Sequence, residues 1–457
     1  MSSSSQNKRQ VRTAEEDDEV EKKHAKKQRK TATSDGWLLL DRCAYPDRSE
    51  TPDGDRAHAA DAAAGHTVCT ASAVTSQGAR FELSLRAQEP PGVTRLAFTA
   101  DVPGDILSSY KPPDTGPYHF FPFRPRSAEF NLRVVASDDT AVLVETLCLG
   151  SDYFVLDRVD DDDALSPPVL TRLPGTPPRV HGGMGIMRRG GGREGEGYVV
   201  AALHQAVSPE PSWHVSFFSS SSSATAWRRR EARLPAEVGG WLCWQIAAVL
   251  VCGGRFWWVD LQRGLLSCSV DSLLQQQHDD DAEQQPPLVL QFTPLPNVSM
   301  EQAKGAGYSD YPLVQDRCVA ASAGRLRYVE MSVYRNIPRR AASSPPPLCD
   351  DCRGGSVTTW TLDGDTGAWA QDHALKLADV WRDESYGSTG LPRTAPEFPL
   401  VDPSDPNVVY FSMIIERGEG DGHVFGVDLS TRKVTACSGR YKGLNTGCCT
   451  LEPVFHR

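Results

Sequence analysis

Cys349 and Cys352 stand in a Cys-Asp-Asp-Cys run, the spacing with which two thiolates grip one zinc ion. A closed zinc site needs four ligands, so a second pair or two histidines must come from elsewhere. The other close pair is Cys448-Cys449, whose adjacency does not suit chelation by both side chains, and no histidine lies beside either pair. Arg353-Gly354-Gly355 and an apolar run follow Cys352, so the helix that a thioredoxin-type dithiol requires does not start there. The pair at Cys349 and Cys352 is therefore expected to be a loop coincidence, with no metal bound. The eleven histidines show neither H-E-x-x-H nor H-x-x-E-H spacing, and no G-x-S-x-G elbow occurs. No catalytic residue, no cofactor-binding residue and no cofactor is assigned.

The glycine-rich segment 182–197, GGMGIMRRGGGREGEG, lacks the Gly-Lys-Ser/Thr of a phosphate loop and opens no helix. It is expected to be a loop, followed by a strand over 198–203. Asp260, Asp363 and Asp428 recur at corresponding places. Asp at a turn bonds nearby backbone N–H groups, and one copy per repeat suits architecture better than catalysis.

The elements that carry these residues read as hairpins. Residues 255–270, RFWWVDLQRGLLSCSV, run strand, turn, strand: aromatic and β-branched residues, then Asp260, Arg263 and Gly264, then a second apolar run. Gly264 supplies a position free to take positive φ. Residues 357–369 (VTTWTLDGDTGAW) and 423–438 (HVFGVDLSTRKVTACS) repeat the order. A second phrase, an apolar strand closing on Leu-Pro, recurs at 169–174, 231–235 and 288–296. Further hairpins are expected around 75–78, 137–139 and Gly324. Pro90-Pro91 closes the first unit, residues 241–251 supply two buried strands, and Trp257, Trp258, Trp360 and Trp369 pack between units. Hairpins with closing phrases at such intervals predict an all-β fold, a β-propeller-like array of antiparallel hairpins or blades. Six candidate units fall near 36–90, 127–176, 198–236, 249–296, 313–377 and 400–450.

Composition bounds the rest. The chain has 457 residues and a net charge of −11. Residues 1–35 hold nine basic and seven acidic side chains and almost no aliphatic ones, so the rest stands near −13. Residues 1–35 are expected to be a disordered charged tail, and 36–457 a single β-rich unit. The acidic body is not expected to bind nucleic acid generally. No run of 18 apolar residues is present, so no membrane partner is expected, and the polar N-terminus reads as not secreted. Of the twelve cysteines, Cys69, Cys148, Cys243, Cys252, Cys268 and Cys318 sit in apolar runs and read as reduced, buried, small apolar fillers. Within the tail, KKHAKKQRK gives a nuclear-import cluster of Lys22, Lys23, Lys26, Lys27, Arg29 and Lys30. An import receptor is its expected partner, with a nuclear or cytoplasmic location.

Taken together, several phrases resemble the plant family known as domain of unknown function 1618, expanded in grasses. They are Trp37-Leu38-Leu39-Leu40-Asp41-Arg42, Asp152-Tyr153-Phe154-Val155, the strand 198–203, Trp258-Val259-Asp260-Leu261-Gln262-Arg263-Gly264, Thr358-Thr359-Trp360 and the segment 405–410. The family pattern usually has an aromatic where Gln262 stands. The resemblance is strongest over about 255–410 and implies an F-box-associated or kelch-like β scaffold with no established activity. The expected function is a non-catalytic protein-interaction scaffold, whose unknown partner binds the propeller loops. The alternative is a hydrolase or lyase with its site in a central channel.

Overall fold

The computed structural model describes residues 37–46, 66–104, 130–138, 141–146, 152–157, 168–175, 183–189, 197–206, 212–221, 226–238, 244–275, 286–298, 313–333, 355–364, 366–416, 421–441 and 451–455. Six successive groups of mostly antiparallel strands form blades. Blade 1 holds β1 (Trp37–Pro46), β2 (His66–Val74), β3 (Arg80–Ala87) and β4 (Val93–Asp101). Blade 2 holds β5 (Leu132–Asp138), β6 (Ala141–Thr146), β7 (Tyr153–Asp157) and β8 (Val169–Arg172). Blade 3 holds β9 (Met184–Arg189), β10 (Gly197–Ala206), β11 (Ser212–Ser219) and β12 (Arg228–Arg233). Blade 4 holds β13 (Ala248–Cys252), β14 (Arg255–Asp260), β15 (Gly264–Ser269) and, after helix α1 (Val270–Leu274) and β16 (Leu288–Val289), β17 (Gln291–Pro294). Blade 5 holds β18 (Arg317–Ser322), β19 (Arg325–Ser332), β20 (Ser356–Leu362) and β21 (Trp369–Lys376). Helices α2 (Leu377–Arg382) and α3 (Glu384–Gly387) lead to blade 6, with β22 (Glu397–Val401), β23 (Val408–Glu416), β24 (Asp421–Asp428) and β25 (Lys433–Cys437).

The period of two along each strand explains why blades stack. On β10, Val199, Ala201 and Leu203 pack toward blade 4, while Tyr198, Val200 and Ala202 pack toward blade 2. A strand pressed on both faces is mostly apolar: all six residues of β6 are buried, four of them apolar, and the buried Glu145 is paired with Arg133. Among the described residues the buried apolar side chains form six clusters, and each joins two neighbouring blades. Phe81 and Leu96 meet Phe154 between blades 1 and 2, and Leu143 meets Ile186 between blades 2 and 3. Val215 meets Trp258 between blades 3 and 4, and Leu265 meets Tyr328 between blades 4 and 5. Val329 meets Phe411 between blades 5 and 6. The sixth cluster, with Trp37 and Leu39 against Leu400 and Tyr410, packs blade 6 on blade 1, so the ring is closed.

Closure has a backbone part as well. The last strand, β26 (Leu451–Phe455), pairs antiparallel with β1, with Trp37 opposite Phe455. β1 pairs in parallel with β4 on its other edge, and Cys43 pairs with Arg133 of β5, which links blades 1 and 2 into one nine-stranded sheet. The all-β, propeller-like array of about six blades expected from the repeated hairpins is the fold observed.

Three local readings need correction. The glycine-rich segment is not wholly a loop: Met184–Arg189 is β9, which pairs with β10. Glycine is selected there for closeness, because a Cβ on Gly185 would lie 2.6 Å from a methyl of Val249 in blade 4. Pro90-Pro91 does not end blade 1 but forms the turn between β3 and β4. Residues 244–247 are not in a strand, and of the apolar run only the part from Ala248 enters β13. None of the helices α1, α2 and α3 was expected; α2 and α3 bury Trp381 and Tyr386 against blade 6.

Candidate functional site: the axial channel

The first strand of each blade from 2 to 6 lies innermost. β5 packs beside β9, β9 beside β13, β13 beside β18 and β18 beside β22. A cavity of about 140 Å³ lies among these strands. Its wall includes Arg42 of β1, Asp138 of β5, Val249 and Val251 of β13, Val319 of β18 and Phe398 of β22. Five of the six blades contribute, which places the cavity on the ring axis. Most of the wall is small or apolar, as inner strands must be to converge.

The polar members are held by specific bonds. Arg317 Nη1 donates to the Leu261 carbonyl at 2.8 Å, and Nη2 pairs with Glu330 at 2.7 Å. This fixes the guanidinium across the boundary between blades 4 and 5. Asp138 accepts a 2.5 Å bond from the backbone N–H of Arg188 in blade 3. Among the described residues the wall offers one carboxylate, Asp138, and no histidine.

The backbone of blade 6 is strained beside the cavity. Phe398 holds φ +52°, a conformation that costs an L residue roughly 1–3 kcal/mol. It sits where the β22–β23 register shifts between Glu397 and Leu400. Blade 5 clamps the following turn, because Ser322 Oγ donates to the Asp402 carbonyl at 2.6 Å and Ala323 N to that of Pro403 at 2.8 Å.

A second polar cluster closes the ring. Asp41 is 1% exposed and accepts from Tyr441 Oη at 2.6 Å, Tyr45 Oη at 2.8 Å and Cys43 N at 2.9 Å. The Arg95 guanidinium lies 4.2 Å from the Tyr441 ring centre and 5.5 Å from that of Tyr45. Burial raises the Asp41 carboxyl, against the pull of its hydrogen bonds, and pushes the Tyr441 phenol well up. So enclosed a cluster joins blades rather than meeting a ligand.

The repeated aspartates cap turns, as their spacing predicts. Asp363 accepts from Thr366 N and Oγ1 at 2.7 and 2.8 Å. Asp428 accepts from Ser430 N at 2.8 Å and Thr431 Oγ1 at 2.9 Å. Asp260 is fully buried, accepts from the N–H groups of Gln262 and Gln245, and pairs with Arg263 at 2.7 Å. Trp258 and Trp360 are buried between blades, with Trp257 and Trp369 partly buried beside them. Lys22, Lys23, Lys26, Lys27, Arg29, Lys30, Cys349, Cys352, Cys448 and Cys449 lie outside the described residues. Cys268 is buried, and burial pushes its thiol up to about 12. Among the described residues no group of three or more His, Cys, Asp or Glu could hold a metal ion. The channel residues Arg317 and Phe398 were not marked by any motif, and Arg42 stood only in a phrase of the family resemblance; each comes from a different blade.

The model of the family described as "Protein of unknown function (DUF1618)" matches residues 258–410, and this supports the family resemblance read from the sequence. No curated protein matches the chain. Among solved structures, a mutant apocarotenoid oxygenase of Synechocystis is 9% identical, with a TM-score of 0.33, over 80% of this chain and 73% of its own. A putative 6-phosphogluconolactonase from Bacteroides uniformis is 10% identical, with a TM-score of 0.30, over 84% and 88%.

Proposed function

We propose that this chain is a non-catalytic protein-interaction scaffold of the F-box-associated, kelch-like type found in plants. The observation that supports this reading is the axial wall, drawn from five blades and mostly small or apolar, with a single carboxylate among its described members. General acid–base chemistry draws on positioned titratable groups, and hydrolysis commonly uses two. The rigid ring instead offers what loop-borne recognition needs, a frame that fixes where loops emerge. The partner is another protein with a basic surface, complementary to the net charge of −11. In this reading 36–457 acts as one unit with 1–35 as its tail. Lys22, Lys23, Lys26, Lys27, Arg29 and Lys30 engage an import receptor, giving a nuclear as well as a cytoplasmic pool.

Proximity labelling in cells, with the full chain and with a chain whose 276–285 and 334–354 segments are shortened to Gly-Ser, tests the scaffold reading. A protein labelled by the first and lost with the second supports it, and identical labelling profiles count against it. A fluorescent fusion carrying Lys26→Ala, Lys27→Ala and Arg29→Ala tests the tail. A reduced nuclear fraction is expected, and an unchanged one removes the import assignment.

A further inference from the structure

The axial cavity has the size and chemistry of a small-ligand site. Its volume is about 140 Å³. An apolar protein cavity of about 150 Å³ holds one benzene molecule. Val249, Val251, Val259 and Val319 give it an apolar body that suits one ring or a short chain.

Its wall carries two guanidiniums, one of which, that of Arg317, is paired with Glu330. Arg42 and Arg317 both line the cavity, against Asp138 alone among carboxylates of the described wall. Asp138 already serves the backbone of blade 3 through Arg188 N. Arg317 is the better-defined anchor. A guanidinium carries five N–H donors, and the Leu261 carbonyl and Glu330 engage its two terminal nitrogens singly. Further donors of a fork whose plane is fixed remain for a planar anion, the geometry that favours carboxylate.

The strained Phe398 is an independent sign. A left-handed L residue persists where its surroundings over-determine it, and such residues gather at ligand clamps. Phe398 stands in the cavity wall, next to a turn that blade 5 holds through Ser322 and Ala323. The wall is thus pre-organised from blades 5 and 6.

We infer that the axial cavity binds a small monocarboxylate with an apolar body of about one six-membered ring, its carboxylate on the Arg317 guanidinium and its body against Val249, Val251 and Phe398. This goes beyond the scaffold reading and does not depend on it, because a protein partner on the loops and a small ligand on the axis use different surfaces.

The test is thermal denaturation and titration calorimetry of the full chain with benzoate, and with benzylamine as the isosteric cation. Benzoate should raise the melting temperature in proportion to log concentration, and benzylamine should not. Ala321→Phe, which fills the cavity, should abolish the benzoate heat, and Arg317→Gln should weaken binding tenfold or more. If Ala321→Phe loses its cooperative transition, Arg317→Lys replaces it, keeping the charge but losing the fork; weaker benzoate binding supports the site. No benzoate effect, an equal effect of benzylamine, or wild-type affinity in the cavity or fork variant overturns it.

Discussion

Tyr441 donates a 2.6 Å hydrogen bond to Asp41, a residue 400 positions earlier in the chain. Tyr441 also bridges Gly422 of β24 through its backbone, with bonds of 3.0 and 2.7 Å. One residue therefore ties blade 6 to the buried acid of blade 1. Tyr441→Phe removes the donor and leaves Asp41 with its two other bonds. We expect a loss of about 1.5–3 kcal/mol, the range for a hydrogen bond to a charged group. Asp41→Ala removes the acceptor shared by Tyr45 and Tyr441 in a dry site and should cost more. Urea melts of the two variants check the order, and equal stabilities would show that the latch contributes little.

Asp260 and Arg263 form a nearly solvent-free ion pair in the β14–β15 turn, with Arg263 2% exposed. Arg263→Leu leaves a buried carboxylate without its cation, which costs about 3–5 kcal/mol. The double variant Asp260→Asn with Arg263→Leu should recover part of that loss. Chemical denaturation of the single and double variants decides this, since equal losses would mean the pair is not coupled.

Gly264 follows that turn. A Cβ there would overlap the Thr293 carbonyl oxygen of β17, which is backbone and cannot swing aside. Its freedom to take positive φ is not what is used; its lack of a side chain is. Gly264→Ala should force β15 and β17 apart and cost about 1–3 kcal/mol as an overpacking substitution. Gly253→Ala tests the contrast, because φ +59° strains it while no atom lies within 4 Å of the new Cβ. Hydrogen exchange should show β17 loosened in the first variant only.

His204 and His214 face each other across β10 and β11, with ring centres 5.7 Å apart, and the Nδ1 atom of each is buried without a partner. Burial first, then Arg229 and the neighbouring imidazole, lower His204 to about 4 from 6.5. His214 is lowered by burial and Arg229, with Glu231 opposing. A base that resists protonation when folded takes up fewer protons than the unfolded chain. The stability it contributes is present above about pH 6.5 and is lost as pH falls toward 4. The melting temperature should drop over that interval, and His204→Gln with His214→Gln should flatten the drop. A profile unchanged by the double substitution would assign the acid sensitivity elsewhere.

Much of the ring was legible because its determinants are local. The hairpin at 255–270 folds as read, since aromatic and β-branched runs around Asp260 leave few alternatives. The Leu-Pro phrase marks the outer strands of three consecutive blades, β8, β12 and β17, where Leu173 and Leu295 turn inward to be buried. β9 was hidden because Gly183 and Gly185 suggest a loop, whereas they are small to admit Val249. The helices around Trp381 were hidden because six and four residues are too few for a helical period to emerge. The cavity was not legible at all. Arg42 and Arg317 are 275 positions apart, and only the closing of the ring brings them to one wall. Convergence across blades has no signature in spacing.

The pairing of Trp37 with Phe455 makes the order of the blades cyclic. With β26 hydrogen-bonded to β1, the point at which the polypeptide is interrupted is nearly irrelevant to the contacts it makes. A circular permutant that links 455 to 37 by a short Gly-Ser bridge, with new ends between 275 and 286, keeps all six interblade clusters. Deleting one blade would instead leave two apolar faces, shaped for other neighbours, to meet each other. The molecule is thus indifferent to where it is cut and intolerant of what is removed, the behaviour of a hoop rather than a row.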